Sequence, residues 1–506
     1  MMRRPNILFI LSDDQGAWAL GCAGNAELRT PHLDRLAASG MRFDNFFCAS
    51  PVCSPARASI LTGTIPSRHG VHDWISGGNA RIKGERGAPI EYLAGQEGYT
   101  EILARHGYRC AFFGKWHLGH AARPQKGFSE WFTHARGGGP YYGAPLFRNG
   151  RLVHEPRYVT EVITDEALAF LERQKGSVHP FHLNVHYTAP HSPWNRANHP
   201  AALYDDYLAN CDFHSVPWLP THPWQIASLH WADDVRRRED LSGYYAAVTA
   251  MDAQIGRLLL ALERLGMRED TLVVMTSDNG MNMGHHGIVG KGNGTFPMNM
   301  YDTSVKVPFL VSWPGRVPAG KVEKGLWSQL DLFPTLLEIA GVSAPVGDHR
   351  PGRSFAPLLT GQPVKRPREF IVVAAEYGPV RMWRTRDWKY VHRYPYGPHE
   401  LYHLRDDPDE RHNRAGEKGM IRRIREMKAH LDEWFDRYAD PCKDGARLPV
   451  TGRGQAGLVG SAGRGRNPFG ESWNPTFPER VRAAGPAWAP GFDGTASPDG
   501  DAPVQK

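Results

Sequence analysis

The sequence predicts an α/β fold: a large, mainly parallel mixed sheet sandwiched by helices, then a smaller C-terminal unit carrying an antiparallel sheet. Three observations lead there. Short apolar runs end abruptly in polar residues, at Ile7 to Leu11 before Ser12-Asp13-Asp14 and at Leu272 to Met275 before Ser277-Asp278-Asn279. Runs of that kind read as strands buried on both faces. Amphipathic stretches alternate with them, the plainest running from Ser242 to Leu265 with Val248, Met251, Ile255, Leu258, Leu259 and Leu262 at helical spacing. Past Pro345 the alternation gives way to short strand-like segments separated by turns.

The elements follow in order. Met1-Met2-Arg3-Arg4 and the apolar run after it mimic a signal peptide, but the run is short and ends at Asp13-Asp14 with no small-residue cleavage site. It is read as a core strand. Thr30-Pro31 reads as an N-cap and first helical residue, with Leu33, Leu36 and Ala37 on one face and Gly40 closing the helix. A helix is expected from about Pro55, and another from Thr160 to Gln174, before the strand that leads to His186. The stretch from Asn195 to Asp240 is rich in His, Trp and Pro without a period, and is read either as one wall of a substrate pocket or as an excursion packed on its own tryptophans. Phe370 to Ala375, Val380 to Arg386 and Trp388 to His392 read as strands, and Ile421 to Tyr438 as a helix. These elements divide the chain into residues 1–345, 346–440 and a Gly-, Pro- and Arg-rich tail, 441–506, that is disordered or wraps over the body.

Composition narrows the function. A chain of 506 residues with 41% hydrophobic and 22% charged residues is an ordinary globular composition for two or three units. The net charge of +7 comes without zinc-finger spacing or an aromatic-basic RNA motif, so nucleic acid is not the expected partner. A positive field that steers a small anion accounts for it. No stretch of about 18 apolar residues suggests a membrane span. The six cysteines, Cys22, Cys48, Cys53, Cys110, Cys211 and Cys442, are scattered without a CxxC pair, which fits a reducing compartment and a cytoplasmic protein. Oligomeric state stays open.

Several segments carry chemistry. Asp13, Asp14, Asp278 and Asn279 stand at strand ends, where ligands of open α/β sheets sit. They offer only oxygen donors, which suit Ca²⁺ or Mg²⁺ rather than zinc. In Phe113-Gly114-Lys115-Trp116-His117 a locally extended chain puts Lys115 and His117 on one side, a pairing that suits a tetrahedral anion. Pro190 and Pro193 restrain the backbone around His191. Gly290 and Gly292 flank Lys291 and let the backbone approach a small anion.

Cys53-Ser54-Pro55-Ala56-Arg57 has the form C-x-P-x-R, and with the four segments above it resembles the type I sulfatases, of the bacterial arylsulfatase and glycan-sulfatase type, in the alkaline phosphatase-like superfamily. The resemblance spans roughly the first 440 residues. It implies a sulfuric ester hydrolase in which a formylglycine-generating enzyme oxidises Cys53. The hydrated aldehyde is then the nucleophile. A metal, Ca²⁺ with Mg²⁺ as runner-up, would be held by Asp13, Asp14, Asp278, Asn279 and residue 53. Arg57 would hold the nucleophile, His117 would serve as base, Lys115 and Lys291 would bind sulfate oxygens, and His191 would be the acid for the leaving oxygen, a role that Lys291 would share. The implied substrate is a small sulfated saccharide. Asp73, Trp74 and Arg381 are the selectors chosen from a wider set with His72, Tyr141, Tyr142, Trp383 and His392. Two alternatives stand beside this: a phosphonate monoester or phosphodiester hydrolase with the same nucleophile, and a non-catalytic binder of sulfated glycans if Cys53 is not matured.

Overall fold

In the first apolar run, β1 (Asn6–Ser12), every residue is buried, and alternate side chains serve opposite faces. Ile7, Phe9 and Leu11 enter one core, while Leu8 and Ile10 enter a second. A strand needs an unbroken apolar run when both of its faces are covered. The computed structural model describes residues 4–79, 88–226, 231–345, 349–365, 367–395, 397–448 and 454–469.

The main sheet has ten strands: β1, β2 (Met41–Phe43), β3 (Arg109–Lys115), β4 (Glu130–His134), β5 (Ala144–Arg148), β6 (Arg151–Glu155), β7 (Phe181–His186), β8 (Thr271–Ser277), β9 (Phe309–Ser312) and β10 (Lys321–Glu323). In space they run β10-β2-β9-β8-β1-β7-β3-β4-β5-β6. The central strands β8, β1, β7, β3 and β4 are mutually parallel. Antiparallel pairing appears only towards the edges, at β9 and at the β5–β6 hairpin. Leu11 is in register with His186 and Ser12 with Ser277. The loops after β1, β7 and β8 therefore leave the sheet at one edge.

Helices cover both faces, with four differences from the sequence reading. In α1 (Pro31–Ala38) Thr30 occupies the N-cap position, yet its hydroxyl bonds Gly21 N and Asp34 Oδ1 instead of capping the helix. The nucleophile helix α2 (Cys53–Thr62) starts at Cys53, two residues before Pro55. After α3 (Val159–Gln174) the supposedly irregular stretch holds α4 (Ala201–Asn210), and the long helix α5 (Asp234–Arg264) begins well before Ser242, capped by Asp233 accepting from Arg236 N. Polar first turns hid that start, because the apolar period begins only at Leu241. The 195–240 stretch packs on an aromatic cluster with Trp194, Tyr204, Tyr207, Phe213, Tyr244 and Tyr245.

In the C-terminal part β11 (Phe370–Ala375), β12 (Val380–Thr385), β13 (Trp388–Arg393) and β14 (Glu400–His403) form an antiparallel sheet. Helix α6 (Ile421–Tyr438) lays Ile424, Met427, Leu431, Trp434 and Phe435 against Val372, Trp383, Tyr390 and Leu401. Buried ion pairs fasten this sheet to the main body: Asp302 receives Arg384 and Lys389, and Lys389 also meets Glu410. Of the tail, Val459 and Phe469 enter the first core, while residues 470–506 lie outside the described residues. Among the described residues the cysteines are all unpaired, and no helix is long and apolar enough to cross a membrane.

Candidate active site

Helix α2 is buried along its whole length. Small residues, Ser54, Ala56, Ala58 and Ser59, make that possible, and Cys53 as its first residue stands at the positive end of the helix dipole. One turn on, Arg57 is carried back under the cluster of strand-end carboxylates. Its Nε donates to Asp278 Oδ2 at 2.9 Å, its Nη1 donates to Lys115 O at 2.8 Å, and its Nη2 lies 3.7 Å from Asp13 Oδ1.

The carboxylates meet three cations. Lys115 Nζ donates to Asp13 Oδ2 at 2.5 Å, and Lys291 Nζ donates to Asp14 Oδ1 at 2.5 Å. Cys53 Sγ lies 3.3 Å from Asp13 Oδ1 and 3.7 Å from Asp14 Oδ1, and it receives Lys291 Nζ. Burial pushes the Asp13 carboxyl up, against the opposing pull of Lys115. At Asp14 burial also pushes up, but Lys291, His191 and Lys115 outweigh it and hold the group well below the usual carboxylate range. At Asp278 burial is outweighed by Arg57 and Lys115, with the same downward result. Burial, helped by Asp13, raises the Cys53 thiol well above its ordinary value. That shift disfavours the thiolate, the form in which a cysteine is a nucleophile.

Ligand atoms of Asp13, Asp14, Cys53 and Asp278 lie within 4.8 Å of one another. Asn279 completes the set: its Nδ2 donates to Asp14 Oδ1 at 2.9 Å, and its Oδ1 is buried without a hydrogen-bond partner. A buried amide oxygen left over beside three carboxylates is what a hard cation would use. The donor set fits Ca²⁺ or Mg²⁺.

Above the carboxylates lies a cavity of about 530 Å³, lined by Asp14, Cys53, His117, His191 and Lys291 together with Trp74, Arg136 and others. His117 has a φ of 53°, so the chain is not extended there and the expected side-by-side alternation with Lys115 fails. The two still converge because the turn swings the imidazole over the end of α2. His117 Nε2 bonds Ile75 O at 3.1 Å, while its Nδ1 is buried without a partner. Burial, then Lys115 and Arg57, hold this imidazole well below its ordinary value, hence neutral. Glycine at 137 leaves room for this imidazole, since a Cβ there would come within 2.1 Å of His117 Nε2. His191 follows β7; its Nδ1 bonds Ser192 O at 2.7 Å, which turns Nε2 towards Asp14 Oδ2 at 3.7 Å. Tyr141 donates its hydroxyl to His191 O at 2.7 Å and so steadies that loop.

The nucleophile, metal and acid–base candidates therefore come together. The selectors mostly do not. Trp74 lines the cavity, but Asp73 is buried behind it, its Oδ1 accepting from Trp74 N and its Oδ2 from Gly454 N. Arg381 is buried in ion pairs with Glu376 and Asp444 and lies over the Phe435 ring. Trp383 stacks on Phe370, and His392 stacks on His399. These side chains fill the junction with the C-terminal sheet, where a cation and an aromatic ring look in sequence the same as substrate contacts. The described residues of the 195–240 stretch do not line the cavity, and residues 227–230 lie outside the described residues. Sequence reasoning missed Arg136, Asn79 and Asn293 in the lining. The run Arg136-Gly137-Gly138-Gly139 was the available signal for the first of them.

The sulfatase family profile matches residues 5–342, and a profile described as N-sulphoglucosamine sulphohydrolase, C-terminal, matches residues 293–437. An N-acetylglucosamine-6-O-sulfatase from Bacteroides thetaiotaomicron is 29% identical, with 87% of each chain covered. The N-acetylgalactosamine-6-sulfatase of Homo sapiens is 33% identical over 72% of this chain and 67% of its own. Among solved structures, a protein in complex with its substrate D-glucosamine-2-N,6-O-disulfate matches with a TM-score of 0.71 and 27% identity, over 88% of this chain and 100% of that one. With the family profile covering the body that carries Cys53 and the carboxylates, the chain belongs to the sulfatase family, as a sulfuric ester hydrolase of the alkaline phosphatase-like fold.

Proposed function

We propose that this sulfatase hydrolyses a sulfate ester of a small saccharide, with the 6-O-sulfate of a hexosamine as its first candidate. The reaction would use a formylglycine made from Cys53 by a formylglycine-generating enzyme, and a calcium ion held by Asp13, Asp14, Asp278 and Asn279. The carrying observation is the position of Cys53: first residue of a buried helix, 3.3 Å from Asp13, and facing both Lys291 and the cavity. The names of the relatives support the substrate, since both are 6-sulfatases of N-acetylated hexosamines. A cavity of about 530 Å³ is of small-molecule size.

When present, formylglycine supplies two hydroxyls on one carbon, one to attack sulfur and one to lose its proton as sulfate leaves, and the metal supplies polarisation of a sulfate oxygen. The protein's own groups do the rest. Lys115 and Lys291 bring two ammonium groups to the place where the sulfate oxygens gather charge. Arg57 holds the carboxylates in position from below and offsets their charge. His117, neutral and with Nδ1 free of hydrogen bonds, is suited to accept the proton of the second hydroxyl. His191, anchored through Nδ1, lines the cavity and is placed to donate, through Nε2, the proton that the departing alkoxide needs. Calcium is favoured over magnesium because several carboxylates and a sulfate oxygen crowd one ion, and calcium accepts about six to eight oxygens in flexible geometry.

The test pairs mass spectrometry of the peptide containing residue 53 with turnover of N-acetylglucosamine 6-sulfate, N-acetylgalactosamine 6-sulfate, an aryl sulfate and a matched phosphonate monoester. Formylglycine at position 53 and sulfate release from a hexosamine 6-sulfate are expected. Faster turnover of the phosphonate would overturn the substrate assignment. An unmodified thiol in protein from its native host, with retained glycan binding, would support a binder instead.

A further inference from the structure

The wall of the cavity formed by residues 70–79 is held by a segment nearly four hundred residues later in the chain. Gln455 is fully buried, and its side chain hydrogen-bonds to this loop and to Gly457 beside it. Its Oε1 accepts from His72 N at 2.7 Å, and its Nε2 donates to Gly70 O and Gly457 O, both at 2.9 Å. Its backbone adds a short bridge, with Gln455 N donating to Trp74 O at 2.7 Å and Ser76 N donating to Gln455 O at 2.8 Å. Next to it, Gly454 N donates to Asp73 Oδ2 at 2.9 Å. Gly454 has a φ of 75°, and a Cβ there would meet Trp74 Cζ2 at 2.8 Å and Ser76 Cβ at 2.9 Å. Further along, Ala456 N and Gly457 N both donate to Pro468 O, and Phe469 packs against Tyr377.

What the loop does gives this strap its meaning. Trp74, Ile75 and Ser76 line the cavity. Ile75 N donates to Ser54 Oγ at 3.1 Å on the nucleophile helix, and Ile75 O receives His117 Nε2 at 3.1 Å. One short bridge thus links the strap, the aromatic wall, the base and the helix of the nucleophile.

We propose that Gln455 is a positioning residue for the sulfatase reaction, and that the strap from Gly454 to Phe469 sets the shape of the sugar-facing wall through it. Gln455 touches no reacting atom. Its effect passes through the backbone of residues 72–76, so it should act on substrate fit and on local order together.

Two variants of the full-length protein test this, Gln455→Ala and Gly454→Ala. The first removes the side-chain bonds. The second leaves them and pushes the strap off Trp74. Amide hydrogen exchange of peptides covering residues 70–79 should speed up about tenfold or more in each, as expected for loss of one or two buried hydrogen bonds, while β1 and β8 keep their protection. The KM for the sulfated sugar should rise several-fold, with a smaller change for an aryl sulfate too small to need the wall. Unchanged exchange in residues 70–79, or a uniform rise across the whole protein in both variants, would overturn the proposal. If Gln455→Ala does not fold, Gly454→Ala decides alone. The exchange measurement needs no substrate, so failure of the hexosamine assignment would leave this test intact.

Discussion

Arg57 Nε donates to Asp278 Oδ2 at 2.9 Å, and both side chains are almost wholly buried. The guanidinium spends a second donor on Lys115 O, so it also fixes the end of β3. Removing one partner of a buried ion pair leaves an uncompensated charge and costs about 3–5 kcal/mol. We therefore expect Arg57→Ala to lower the unfolding temperature strongly. Arg57→Lys keeps the charge but loses the planar fork, so it should recover most of the stability while remaining poorly active. Equal unfolding temperatures for the two variants would show that charge balance at Asp278 is not what Arg57 supplies.

Metal binding should appear as stability before it appears as activity. A cation that binds only the folded chain raises stability by about 2.7 kcal/mol at a hundredfold excess over its dissociation constant. Calcium added to chelator-treated protein should raise the unfolding temperature, and magnesium should do so only at higher concentration. In Asp278→Asn and Asp13→Asn the calcium response should be lost. A full calcium response in both variants would place the ion elsewhere.

The basicity of the leaving group gives His191 a distinct signature. General acid catalysis is worth about 10²–10⁴-fold, and a sugar alkoxide needs most of it while a nitrophenolate needs little. His191→Ala should therefore damage hydrolysis of a sugar sulfate by two or more orders of magnitude more than that of 4-nitrophenyl sulfate. Equal losses on both substrates would remove His191 from the acid role.

The parts of this site that could be read in the sequence share one property. Asp13, Asp14, Asp278 and Asn279 follow buried strands, and strand ends in a parallel sheet meet at one edge whatever the loops do. Cys53 and Arg57 sit on one helical turn. For such residues local periodicity carries the long-range geometry. Arg381 and Asp73 failed for the opposite reason. Their environments are set by Glu376, Asp444 and Gly454, partners whose nearness depends on how the C-terminal sheet and the strap dock, and no period in the chain encodes that. Gln455 was illegible too, since nothing local distinguishes it from a glutamine in a polar tail. The early start of α5 was hidden because helices with polar first turns announce themselves by capping, and the cap at Asp233 lay within a stretch already read as irregular.

Asp252 offers a test of pH dependence away from the site. Its carboxylate lies against the first turn of α1, where Leu33 N donates to Oδ1 at 2.7 Å and His32 N to Oδ2 at 3.2 Å. Burial nevertheless wins over these two bonds and pushes the group up to about 7, from an ordinary value of 3.8. Between those values the folded chain binds more protons at Asp252 than the unfolded chain does. Stability from this group therefore falls as pH rises through that window, and is level above it. Buried histidines such as His72 and His134, held down to about 4 by burial, contribute the opposite slope, so the whole-protein curve does not isolate Asp252. The difference between parent and variant does. Asp252→Asn cannot take up that proton, so the parent should gain stability relative to the variant as pH is lowered from about 7.5 to about 5, with a slope approaching one proton in urea unfolding. A parent-minus-variant difference that stays flat across this range would mean that Asp252 is ionised throughout, and that the helix N-terminus outweighs burial.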